Sequence, residues 1–299
     1  DRGRASIARR IARGVGALVL AVALLGVAYG IYWAADRYFL DALGSAEEEQ
    51  VGTVTTVTEI ISTTTTTEPA REDRVIAAGA DRYATAINIT KLGFPEGAPA
   101  LVLVAGDDFP EGMVAAPLAA ACKGAILLVP PDGLTEELNA EIARLAPTRV
   151  FLVGVARPTR VTNQLTELLR EPDIENLAGD DVYETAALVA KQVAAELGTV
   201  KRVVIVSSAG FADAIAVGPL AAANGWPLLL AREDGELPRT TTRAISDLEV
   251  TEALVVGLET ELDLDTVERQ AGADSDETAA LVAAYAAEQG LDFVHTVLV

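Results

Sequence analysis

A nine-residue motif occurs three times along this chain, and the spacing of its copies constrains the fold more than any other feature. Ala78-Gly79-Ala80-Asp81-Arg82-Tyr83-Ala84-Thr85-Ala86 returns as Ala178-Gly179-Asp180-Asp181-Val182-Tyr183-Glu184-Thr185-Ala186. It returns again as Ala271-Gly272-Ala273-Asp274-Ser275-Asp276-Glu277-Thr278-Ala279. A period of about a hundred residues is too long for one turn of a solenoid and suits a small domain copied in tandem.

Between the copies, short valine-rich runs alternate with helical patterns. In the first copy the pattern predicts strands over 74–78, 100–105, 125–129 and 149–154, and helices over 82–92, 110–121, 135–145 and 161–169. In the second it predicts strands near 174–178, 202–207, 228–231 and 253–257. Runs that are apolar throughout are buried on both faces, as in a parallel sheet. Strands alternating with helices then imply α/β sandwiches with right-handed crossovers.

The recurring motif has a structural explanation. Gly79, Gly179 and Gly272 end a strand in a tight turn, and Asp81, Asp181 and Asp274 are placed to cap the following helix. Glu184 and Glu277 stand three residues on, at the spacing of a capping box, whereas the first copy has Ala84 there. A second correspondence pairs Ala105-Gly106-Asp107-Asp108-Phe109-Pro110-Glu111-Gly112-Met113 with Ser207-Ser208-Ala209-Gly210-Phe211-Ala212-Asp213-Ala214-Ile215. Each leads into a Pro-Leu-Ala-Ala run, at Pro117 and Pro219. A proline inside a helix costs about 3 kcal/mol, so its presence in both copies predicts a broken or kinked helix.

Open α/β sheets bind ligands at loops leaving the carboxyl ends of their strands. The candidate ligand-binding residues are therefore Asp81, Arg82, Thr85, Phe109 and Glu111 in the first copy, and Asp181, Thr185, Phe211 and Asp213 in the second. Capping and packing are the competing role for each.

The first 72 residues read differently. Arg2, Arg4, Arg9, Arg10 and Arg13 precede an uncharged run over 14–35, long enough to cross a hydrocarbon core of about 30 Å. Tyr29, Tyr32 and Trp33 gather at its far end, where amphipathic rings sit at the interface. The arginines should stay cytoplasmic, which exports everything beyond. A cleaved signal peptide, with Gly44-Ser45-Ala46 as its site, is the rival to an uncleaved anchor. Residues 36–72 are threonine-rich and lack a period that builds a core, as in a disordered stalk.

The formal net charge is −21, and the excess of acid lies almost wholly beyond this leader. Such a surface repels nucleic acid and anionic lipid in bulk. The single cysteine, Cys122, excludes an intrachain disulfide, and its alanine-rich surroundings predict a small buried hydrophobe. No Gly-x-Gly-x-x-Gly cradle, Walker lysine or Gly-x-Ser-x-Gly elbow is present. The only histidine, His295, lies in a final apolar run. Asp107-Asp108 and Asp180-Asp181 have the chemistry to hold a hard cation, but neighbouring acids in turns are usually solvated. No catalytic residue, cofactor or metal site is assigned.

In combination the motifs resemble the cell-wall-binding repeat 2 family of Gram-positive surface proteins. The residues that carry the resemblance are the Gly-Asp-Arg-Tyr-x-Thr-Ala opening, Phe-x-Asp-Ala before Pro-Leu-Ala, and the apolar strands Ile126-Leu127-Leu128 and Leu228-Leu229-Leu230. The resemblance implies Rossmann-like modules, usually three around a pseudo-threefold axis, that hold their carrier to wall polymer without covalent attachment. Departures are Val182 and Ser275 in place of Arg82, Asp276 in place of tyrosine, Glu111 where the second copy has Asp213, and single glycines at Gly154 and Gly257.

The expected fold class is thus α/β, with tandem Rossmann-like parallel-sheet units preceded by a single N-terminal transmembrane helix. Its divisions are a basic leader (1–13), an anchor (14–35), a linker (36–72), repeats over 73–171 and 172–270, and a truncated third repeat (271–299). The expected function is a non-catalytic module of a membrane-tethered, extracytoplasmic protein. Its partner is cell-wall polysaccharide or a secondary wall polymer, with a further repeat or effector domain outside this chain. A degenerate α/β hydrolase and a surface oligomerisation scaffold are the alternatives.

Overall fold

A computed structural model describes residues 77–107 and 109–291. The basic leader, the anchor, the linker, residues 74–76 and the final apolar run with His295 lie outside the described residues. Of the strand expected over 74–78, the two described residues, 77 and 78, are not in a strand. No helix among the described residues is long and apolar enough to cross a membrane.

The first repeat runs α1 (Arg82–Gly93), β1 (Ala100–Ala105), α2 (Phe109–Met113), α3 (Ala115–Ala121), β2 (Ala125–Val129), α4 (Glu136–Leu145), β3 (Arg149–Val153), α5 (Pro158–Leu168). The second runs β4 (Asp173–Asn176), α6 (Val182–Leu197), β5 (Arg202–Ser207), α7 (Phe211–Asn224), β6 (Leu228–Ala231), α8 (Arg239–Asp247), β7 (Glu252–Val256). A start of the third follows as β8 (Thr266–Gln270) and α9 (Ser275–Glu288).

These strands form two four-stranded parallel sheets with the same order, β2-β1-β3-β4 and β6-β5-β7-β8. In both sheets the fourth strand comes from the start of the following sequence repeat. Arg149↔Asp173 opens the register between β3 and β4, and Glu252↔Thr266 opens the one between β7 and β8. The borrowed strands are polar, Asp-Ile-Glu-Asn and Thr-Val-Glu-Arg-Gln, and a charged edge resists further pairing. The inner strands are valine- and leucine-rich, and all six residues of β1 are buried.

Period-two alternation divides the second sheet between two cores. Val204, Val206, Leu228, Leu230, Leu254 and Val256 join Leu101, Leu103 and Phe151 in a core continuous across both repeats. Val203, Ile205, Leu229 and Val255 face the other way, onto Ala190, Ala244 and Ile245. The repeats meet through helices: α3 packs on α6 and α7, and α7 packs on α9. Arg149 reinforces the joint, bonding Glu196 of α6 at 2.6 and 2.9 Å. Cys122 is half-buried, and burial pushes its thiol up to about 11.

The expectation of a broken or kinked helix is met by a break in one repeat only. The first helical run does break, but at Val114, which leaves Pro117 in the first turn of α3 where its missing N–H costs little. Pro219 lies inside an unbroken α7. Recurrence of the proline therefore does not enforce a break.

Candidate functional site

Each nine-residue motif folds into the same turn. The backbone N–H groups of Gly79, Gly179 and Gly272 donate to Thr85, Thr185 and Thr278 Oγ1 at 2.9, 3.0 and 2.9 Å. A Cβ at Gly79 would stand 2.4 Å from the Thr85 nitrogen, so the turn admits glycine alone. Asp81, Asp181 and Asp274 cap α1, α6 and α9, accepting from the N–H three residues on at 2.8–2.9 Å. Such a cap is worth about 1 kcal/mol. Glu184 and Glu277 close the box one residue further back than the usual pattern, on the N–H of Asp180 and Ala273 at 2.7 Å.

The second motif brings the repeats together. Glu111, on α2, accepts from Thr185 Oγ1 of the next repeat at 3.2 Å, and Thr185 is fully buried there. Its seat is Gly154, at φ +63°, where a Cβ would lie 2.0 Å from a Glu111 carboxylate oxygen. The second repeat repeats the seat: Gly257, at φ +70°, would place a Cβ 2.0 Å from Asp213 Oδ2. Asp213 Oδ1 is buried without a hydrogen-bond partner among the described residues.

Burial holds the Asp213 carboxyl above its usual range. With the folded value above the unfolded one, the group favours the fold below its unfolded pKa and loses that contribution as pH rises through the folded value. Asp213→Asn should therefore melt at or above the wild-type temperature near neutral pH, with the gap shrinking on acidification below about pH 4. A gap that widened on acidification would mean that the carboxylate has a stabilising partner.

Two tyrosine rings pack against the strand-to-helix loops. Tyr83 packs on Gly106, with the Arg82 guanidinium 5.3 Å from its ring centroid. Tyr183 shares a 3.1 Å hydrogen bond with Ser208 Oγ, and Arg232 lies 5.8 Å from its ring centroid. Phe109 opens α2, and half-buried Phe211 opens α7. Of the nine candidate residues, Glu111 and Thr185 are thus joined, and Asp213 occupies the place equivalent to Glu111. Asp81, Asp181 and Thr85 shape their own turns. Gly154 and Gly257 were missed as the seats of the two acids, although both follow the last strand of their repeat at matching offsets. Among the described residues no three His, Cys, Asp or Glu side chains converge as a metal would require.

The profile of cell wall binding domain 2 (CWB2) matches residues 77–157 and 176–265, more than half of the chain. The chain belongs to the CWB2 family. The chain is similar to N-acetylmuramoyl-L-alanine amidase LytC of Bacillus subtilis (strain 168), at 33% identity over 181 residues. The alignment takes in 60% of this chain and 35% of the amidase. The amidase enhancer of the same strain is 29% identical over 158 residues, 52% of this chain and 21% of the enhancer. The matched parts are thus a minor share of these relatives' lengths.

Cwp6 from Clostridium difficile superposes with a TM-score of 0.65 at 24% identity, over 84% of this chain and 42% of that one, a likeness of fold. Cwp8 from the same organism gives 0.59 at 28% identity, over 69% and 36%. The first CWB2 match covers β1, β2 and β3 and the second covers β5, β6 and β7, the three strands that each repeat gives to its own sheet.

Proposed function

We propose that this chain is the wall-binding portion of an exported protein, tethered at the membrane by residues 14–35, and that it performs no chemistry itself. Membership of the CWB2 family carries the reading. The division into two repeats and the start of a third belongs to the same proposal, with the last boundary moved from 270 to before Thr266, because β8 stands where β4 does. Wall polymer then lies along the carboxyl edge of the sheets. There Arg82 with Tyr83, and Tyr183 with Arg232, offer flat rings and guanidinium donors suited to sugar faces and hydroxyls. Asp81, Asp181, Thr85, Thr185 and Glu111 hold those loops in shape, while Phe109, Phe211 and Asp213 belong to the first turns of the helices that follow.

The test is sedimentation of the full chain with purified Gram-positive walls. It should pellet with the walls and release no soluble peptide or sugar. In cells whose wall has been digested with muramidase it should stay with the membranes, and deletion of 14–35 should free it. A second reading, in which the chain contributes to amidase action, is favoured by the identity to LytC. Release of free peptide from walls by the chain alone would establish that reading, and failure to sediment would overturn the first.

A further inference from the structure

The second repeat carries a cationic groove at a place where the first repeat is closed. α6 follows β4 of the first sheet and α8 follows β6 of the second, and the two helices pack side by side against β6. Between them lies a cavity of about 740 Å³. Lys191 lines it from α6, and Arg239 and Arg243, one turn apart, line it from α8 with the hydroxyls of Thr240, Thr242 and Ser246.

Two acids belong to the same neighbourhood. Glu184 lines the cavity and keeps its charge while accepting the Asp180 N–H. Asp247 is held by Lys191 at 2.8 Å and by Arg243 at 3.7 Å, so the three cations exceed the acids by one charge. The Arg243 side chain remains 81% exposed, so its donors still face solvent. Arg239 is exposed and has no carboxylate partner among the described residues.

The matching crevice in the first repeat, between α1 and α4, is closed. There Thr90 donates to Glu141 at 2.6 Å, and Arg144 spans from Glu141 to the Phe94 carbonyl. The helix starts differ in the same sense. Thr135 caps α4, and Glu136 and Glu137 follow in its first turn. α8 has Pro238 at its cap with no side-chain cap bond, no acid in its first turn, and Arg239 as its first residue. A cation at a helix amino end opposes the macrodipole, and that local conflict is relieved by an anion seated between them.

We infer that the α6–α8 groove binds the anionic groups, phosphodiester or carboxylate, of a wall glycopolymer. This rests on the wall-binding reading and deepens it by naming a site. It also accounts for how a chain of net charge −21 holds an anionic polymer. Attraction is local, since screening at physiological salt leaves a reach of about 8 Å, short enough for the groove to act apart from distant acids. Forked guanidinium donors suit either oxyanion.

The experiment titrates the full chain with poly(glycerol phosphate), with polygalacturonate and with neutral dextran, and repeats the wall sedimentation. Arg239→Gln with Arg243→Gln removes two exposed charges from the groove. Arg157→Gln with Arg170→Gln removes two elsewhere. At least one polyanion should bind while dextran does not, and the groove variant should bind it about tenfold more weakly or worse, with the control pair unchanged. Which polyanion binds better identifies phosphodiester or carboxylate as the group recognised. Equal polyanion binding by the groove variant and the wild type, or no polyanion binding at all, overturns the inference. Should wild type and groove variant bind walls alike and neither bind the polyanions, the groove is wrong and the wall reading stands. Should the wild type ignore walls yet bind a polyanion through these arginines, the wall reading falls and the groove stands.

Discussion

Replacing Arg144 with alanine is expected to destabilise the chain by about 3–5 kcal/mol, the cost of leaving a buried carboxylate without its counter-charge. The Glu141 side chain is 1% exposed, and its oxygens are met by Arg144 at 2.6 and 2.8 Å. The same guanidinium donates to the Phe94 carbonyl at 2.7 Å and to the Pro95 carbonyl at 3.3 Å, tying the end of α1 and the loop after it to α4. Alanine removes all of these bonds at once and leaves Glu141 with Thr90 as its hydroxyl donor. Arg144 is itself 30% exposed, so little of the loss comes from its own packing. Lysine should recover little, because a single ammonium does not reach a carboxylate and two carbonyls in a fixed fork. Urea titration should show the midpoint falling with the slope retained. A loss below about 1 kcal/mol would show that the network is solvated rather than closed.

The second large effect is expected at the seat of the acid in repeat two. Gly257→Ala combines two faults. Its φ of +70° belongs to the left-handed region, and its Cβ would stand 2.0 Å from Asp213 Oδ2 and 2.4 Å from Cγ. The backbone fault costs about 1–2 kcal/mol, and displacing a desolvated carboxylate brings the sum to roughly 2–4 kcal/mol. For a protein of this size the melting temperature should fall by roughly 5–15 °C. Combining the change with Asp213→Ala separates the faults, because it removes the clash and leaves only the backbone cost. A double variant no more stable than Gly257→Ala would show that the carboxylate is not what the glycine accommodates.

Much of this was readable beforehand. Three aspartates before three helices, with glutamate three residues on in two of them, specified caps, because capping is local and needs no tertiary partner. The apolar runs specified parallel strands, because burial on both faces writes itself into consecutive residues. The cap at Thr135 ahead of α4 trimmed that helix by a single residue at its start.

What escaped was non-local. Nothing in the Phe-x-Asp-Ala pattern announces that Glu111 reaches the threonine of the next copy, or that a glycine some forty residues further on makes room for it. The α6–α8 groove was equally hidden, since its cations lie on two helices separated by a strand, a helix and another strand. Only comparing the two repeats in space shows that one crevice is filled and the other open.

The borrowed edge strands have a consequence for how the chain comes apart. The unit that is copied in sequence and the unit that closes a sheet are offset by one strand. β4 completes the first sheet while its chain continues directly into the second repeat, and β8 does the same for the second sheet. At the far joint Arg202 spans Glu252, Glu268 and Tyr285, so β5, β7, β8 and α9 share one guanidinium. Melting one repeat therefore strips an edge from its neighbour, and the shared core of Leu101, Phe151, Val204 and Leu254 is exposed in the same event. A string of independent beads would let go of a surface one bead at a time. Links that each close on the next respond to heat, protease or pulling as a single body.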